Sequence, residues 1–160
     1  KLGNSTNVVP TNLADVELRT FHTDYVVFNV RRWQLAASEA KFYRLDDRYF
    51  LSNLLLESFN EEGRIVNRVE CEFGQIWNNT KNITLSNHVV LAASNGTVVR
   101  GNYFLWDNAT EQFSSPIYVT VTKPDGVQIN GYGFVADRRI DTYTFSSATG
   151  VLPPRSNARL

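Results

Sequence analysis

Two histidines, a single cysteine and a few carboxylate pairs are the groups in these 160 residues best suited to acid–base, nucleophilic or metal chemistry. His22 and His88 are too few for a histidine-rich metal cluster, and neither forms a recognisable ligand motif with its neighbours. Cys71 alone excludes an internal disulfide and every multi-cysteine zinc motif. It stands among apolar positions with no histidine beside it to activate a thiolate, so it reads as a small hydrophobe. Asp46-Asp47, Glu61-Glu62 and Asp107-Asn108 could be imagined as acid–base pairs or calcium ligands, but they recur at chain reversals and read as turn formers. The expectation is a protein that is not an enzyme, with no catalytic residue, metal site or cofactor. Arg31-Arg32 and Arg138-Arg139 could meet phosphate groups, and as solvated edge charges they would also discourage aggregation.

Composition narrows the classes further. Sixteen Lys and Arg balance sixteen Asp and Glu, so no basic field invites a nucleic-acid backbone. Hydrophobic residues make up 42% and aromatics 12%, too rich for a disordered segment. No apolar run approaches the ~18–20 residues of a membrane helix. The length suits one core. Residues 1–12 read as a polar linker, 13–152 as the folded domain and 153–160 as a flexible tail. The chain opens on Lys1 and contains no Met, which reads as a processed piece with a signal or anchor removed upstream.

The elements that must carry any site are strands. Reversals with glycine (Asn60 to Gly63, Ser94 to Gly96, Pro124 to Gly126, Ala148 to Gly150) alternate with Asx-rich ones at Asp46-Asp47, Asn78 to Thr80, Asp107 to Ala109 and Asp137 to Arg139. Between them lie runs of Val, Ile, Thr, Tyr and Phe. One stretch, Trp33, Ala36, Ala37, Ala40 and Tyr43, has helical spacing, yet a repeat overrides it. Leu51-Ser52-Asn53 recurs as Leu85-Ser86-Asn87, and the same thirty-four-residue offset carries Phe42-Tyr43 onto Ile76-Trp77. Shorter offsets carry Ile76-Trp77-Asn78 onto Leu105-Trp106-Asp107 and Asp107 onto Asp137. The fold class is therefore all-β: a single twisted antiparallel β-jellyroll, or open trough, of about four strand-turn-strand repeats.

Period-two alternation then sorts the faces. Leu54 and Leu56 align with Val90, then with Ile117, Val119 and Val121, and this set is assigned inward with Val69, Cys71, Phe73 and Phe134. Leu55, Glu57 and Phe59 align with Val89, Leu91 and Ala93 and fall outward. The inward set is the candidate lipid-binding stripe of the trough. Trp77 and Trp106, equivalent in the repeat, are the candidate aromatic rim at one end.

The run Gly96 to Asp107 ending in Trp106-Asp107, the segment Phe113 to Gly126, and Gly131-Tyr132-Gly133-Phe134-Val135-Ala136-Asp137 together resemble the LptC family of lipopolysaccharide export. Asp15 to Leu18 and Glu39 to Tyr43 extend the likeness more loosely. The resemblance implies a β-jellyroll in the periplasm, tethered to the inner membrane by an N-terminal helix that this chain lacks. It implies a carrier that binds the lipid A acyl chains of lipopolysaccharide, receives them from an LptB2FG-like ABC transporter, and passes them to an LptA-like periplasmic protein by edge-strand pairing. A free LptA-like bridge is one alternative. Another is a glycosylated extracellular β-sandwich of adhesin type, suggested by the Asn-x-Ser/Thr sequons at Asn4, Asn78, Asn82, Asn95 and Asn108. A jellyroll hydrolase using His88 or Cys71 is a third.

Overall fold

Among the described residues twelve antiparallel strands build one open sheet. The computed structural model of the chain describes residues 13–151, so the linker read over 1–12 and the tail read over 153–160 lie outside the described residues. The first six strands are long: β1 (Val16–Val27), β2 (Val30–Tyr43), β3 (Arg48–Phe59), β4 (Ile65–Trp77), β5 (Ile83–Ala93) and β6 (Val98–Asp107). Six short ones follow: β7 (Gln112–Ser115), β8 (Val119–Thr122), β9 (Gln128–Tyr132), β10 (Phe134–Asp137), β11 (Tyr143–Thr144) and β12 (Ser147–Val151). Ala36 to Tyr43 is strand, as the repeat predicts, because pairing on both sides outweighs the local helix preference of its alanines. The meander runs β1 to β7 and then branches. The second half of β6 pairs with β7, which continues to β10 and β11, while its first half pairs with β8, which continues to β9 and β12. Ala148 to Gly150, read as a turn, lies within β12, paired residue for residue with β9.

A crease crosses the long strands at one level. Pairing passes from Phe21↔Ala37 to Arg19↔Glu39, leaving Thr20 opposite Ser38, and from Leu54↔Cys71 to Ser52↔Phe73, leaving Asn53 opposite Glu72. In β5 two residues, Asn87 and His88, stand where β6 offers only Asn102. Thr20, Asn53, Asn87 and His88 all have left-handed φ, between 53° and 69°. A residue in this conformation bends its strand and resets which face the next side chain takes, whether it stands opposite a partner residue, as at Thr20 and Asn53, or is added to one strand, as in β5. Buried positions accordingly step by three across the crease, from Ala37 to Ala40, Leu51 to Leu54 and Cys71 to Gly74. Both arms of each strand therefore turn an apolar face to the same interior. The recurring Leu-Ser-Asn is the sequence of this crease, and Asn is the side chain that tolerates the conformation best after glycine.

The crease also explains where period-two reading fails. Three predicted inward residues lie on the outer face. Val90 points outward because His88 adds one residue to β5, so Leu54 and Leu56 correspond to Val89 and Leu91, which are buried. Phe73 is exposed because β4 changes phase at Glu72. Ile117 is exposed because it follows Pro116 in the bend before β8 begins at Val119.

Candidate functional site

The remaining predicted stripe is brought together. Leu54, Leu56, Val69, Cys71, Val119, Val121 and Phe134 join one core with Trp33, Leu35, Leu85, Leu91, Phe104 and Trp106. Almost all of these side chains are fully buried, so the interior is a packed core over most of its length.

At the β1 end the packing thins. The inner face of β1 carries Val16 and Leu18, both exposed, then Phe21 and Tyr25, which are half-buried against the core. Phe21 lies 5.2 Å from the ring of Tyr49, Phe42 lies 4.7 Å from the same ring, and Tyr25 stacks on Trp33 at 5.4 Å. A cavity of about 130 Å³ opens here between Phe21, Trp33, Tyr49 and Ile76, with His22, Asp24, Asn78 and Lys81 around it. It is partly apolar and accessible, and Trp33 and Ile76 join it to the core. Among the described residues β1 is also the longest free edge, twelve residues paired on one side only.

Elsewhere the two arms are tied together across the mouth of the fold. Asn108, in the β6–β7 turn, accepts hydrogen bonds through Oδ1 from the indoles of Trp33 and Trp106, each at 3.0 Å. Arg138, in the β10–β11 turn, donates to the carbonyl of Phe59, and its own carbonyl accepts from Asn67. Asn95 donates to Asp141 at 2.9 Å. Glu111 takes Arg32 at 2.7 Å and lies 3.8 Å from Arg138. Burial pulls the Arg138 guanidinium below its ordinary pKa, opposed first by the charge of Glu111.

Residues 4–151 match the family described as lipopolysaccharide-assembly, LptC-related. The chain belongs to that family. Membership gives it a role in lipopolysaccharide transport, in the periplasm, with lipopolysaccharide and proteins of the export system as its general class of partners. This is a transport family rather than a known enzyme family. No curated protein matches the chain. No helix among the described residues is long and apolar enough to cross a membrane.

In this LptC-related domain the two repeat tryptophans take different roles. Trp106 is 1% exposed, its ring 4.7 Å from Phe113. Trp77 stands on the outer face, half-buried, with the Arg48 guanidinium 5.1 Å over its ring. They therefore form no shared rim. The aromatic group at the open end is Phe21, Phe42, Tyr49, Tyr25 and Trp33, of which the repeat offsets reached only Phe42. Strict alternation of Phe21, Thr23 and Tyr25 with exposed His22 and Asp24 is the signal that would have found its β1 part. Val90 and Ile117 line a separate outer groove with Tyr118 and Tyr132. His88 is 80% exposed and hydrogen-bonds Glu72 on the outside, away from the interior.

Among the described residues no three His, Cys, Asp or Glu side chains converge as a metal site. Cys71 is free, and burial pushes its thiol up to about 11, only partly offset by hydrogen bonds with the backbone of Ser86 and Phe73. The neutral thiol is the stable form at every pH below that. Native Cys71 should alkylate about 100-fold more slowly at pH 8 than the same thiol in urea, measured by mass shift against time, because alkylation follows the thiolate fraction. Equal rates would mean that the stripe is open to solvent.

Proposed function

We propose that this domain is a passive carrier in lipopolysaccharide export, taking up acyl chains through the port at β1 and into the stripe that includes Leu54, Leu56, Val69, Cys71, Val119, Val121 and Phe134. The observation that carries this reading is the partly exposed aromatic cluster Phe21, Phe42 and Tyr49, continuous with a core otherwise sealed. Each methylene that leaves water there gains about 0.8 kcal/mol. The gain is the same in any similar interior, so a lipid can pass between such domains without a deep trap, and the drive comes from the ABC transporter that loads the lipid.

Handover to an LptA-like protein is by strand addition. The free edge of β1 and the edges left by β11 and β12 give the sheet a template at each end. An N-terminal membrane helix upstream of Lys1 would hold the domain beside its transporter.

A photo-crosslinking amino acid at Phe21 or Tyr49 should label with lipopolysaccharide in cells, while one at Glu70, exposed on the outer face of β4, should not. Labelling at Glu70 as strong as at Phe21 would end the interior-carrier reading.

A further inference from the structure

One arginine from each of the pairs Arg31-Arg32 and Arg138-Arg139 meets the other across the mouth: Arg32 and Arg138, 106 positions apart in sequence, with one carboxylate between them. Arg32 and Arg138 are 24% and 14% exposed, and both face Glu111. Arg139 is already matched by Asp141 at 3.3 Å, and Arg31 lies over the ring of Phe59 while donating to Gln34. Glu61 adds a weaker negative field at Arg138, less than that of Glu111. Two partly desolvated guanidiniums thus share a single carboxylate, and the pair keeps an excess positive charge that a dianion would satisfy better.

The segment that delivers this carboxylate is not relaxed. Glu111 has φ 57°, outside the range ordinary side chains favour, and so does Ile140 in the neighbouring turn, also at 57°. Ile140 is β-branched, for which this conformation is especially costly, and it is fully buried as the plug of the core beneath the Arg138 turn. The closed mouth therefore holds backbone strain at Glu111 and Ile140, and the Arg32–Glu111–Arg138 contact is one of the ties that hold it shut.

We infer that Glu111 is a built-in stand-in for a phosphate monoester of a glycolipid headgroup. The incoming phosphate takes Arg32 and Arg138 in its place, the β6–β7 turn loses its ionic tie to β2, and the mouth opens at that turn. Headgroup capture and widening of the mouth become one event. This rests on the carrier reading above and adds to it a phosphate site and a trigger.

The test compares lipopolysaccharide with its enzymatically dephosphorylated form on wild type, Glu111→Gln and Arg32→Gln. Spin labels at Ala109 and Glu62, exposed on opposite sides of the mouth, report opening. Glu111→Gln should bind the phosphorylated lipid roughly tenfold more tightly than wild type, since no charge-assisted pair must be exchanged, and should show the longer label separation even without lipid. Arg32→Gln should bind both lipids alike. The phosphorylated lipid should lengthen the separation in wild type, and its dephosphorylated form should not. Binding to wild type that ignores the phosphates, with Glu111→Gln binding no more tightly than wild type, would overturn the exchange and leave the carrier reading standing. Absence of binding by either lipid would overturn the carrier reading, and the exchange with it.

Discussion

Trp106→Ala should cost the fold about 3–5 kcal/mol, the range for a large aromatic removed from a packed core, whereas Trp77→Ala should cost about 1 kcal/mol or less. The two tryptophans occupy the same place in the repeat, one residue before an Asx turn, so a reading from sequence equivalence alone predicts equal effects. The structure separates them. Trp106 lies against Phe113 and its indole donates to Asn108, which also holds Trp33 from the opposite arm, so its loss opens a cavity and unties one cross-mouth contact together. Trp77 faces outward, and its main partner is the Arg48 guanidinium. Urea unfolding followed by far-UV circular dichroism measures both. A loss at Trp77 that equals the loss at Trp106 would mean that the two arms are not folded on the crease described above.

The same residues show how far the sequence was legible. Strand identity and most reversals follow from local chemistry: β-branched and aromatic runs, glycines at Gly63, Gly96 and Gly126 with positive φ, and Asp107 and Asp137 closing turns onto their own backbone. The Leu-Ser-Asn repeat was visible at Leu51 and Leu85. That its asparagines bend strands rather than end them was not, since an Asn in left-handed conformation looks the same in sequence whether it sits in a turn or a bulge. From that point parity was lost by one residue in β5, which exchanged Val90 for Val89 and Leu91. The mouth was beyond reach for a different reason. Trp33 and Asn108 are 75 positions apart, Arg138 and Phe59 are 79, and no periodicity reports on contacts between the ends of a folded sheet. The arginine pairs could be noticed in sequence, but not their shared carboxylate.

Gly131→Ala should displace β12 and cost several kcal/mol, as steric overpacking against backbone does. A Cβ at this position would lie 2.2 Å from the carbonyl oxygen of Ser147 and 2.9 Å from the Cα of Ala148. Both belong to the strand that β9 pairs with, so neither can rotate away as a side-chain tip could. Two residues on, Gly133 has φ 71°, and a Cβ there would lie 2.2 Å from Ser146 Oγ. Phe134, next in line, is fully buried and packs at 5.9 Å on Phe104 and 5.5 Å on Phe145. The Gly-x-Gly-Phe run that carries the family resemblance is therefore a device for docking the last strand: one glycine for backbone approach, one for the turn into β10, and a phenylalanine anchoring that turn in the core. Peeling β12 away leaves the outer edge of β9 unpaired, and an unpaired edge recruits strands. Hydrogen exchange should show amide protection lost at residues 147–151 in Gly131→Ala, with β2 to β5 still protected, and size-exclusion chromatography should show concentration-dependent association. Full protection of those amides in the variant would mean that β12 is not held against β9 at this glycine.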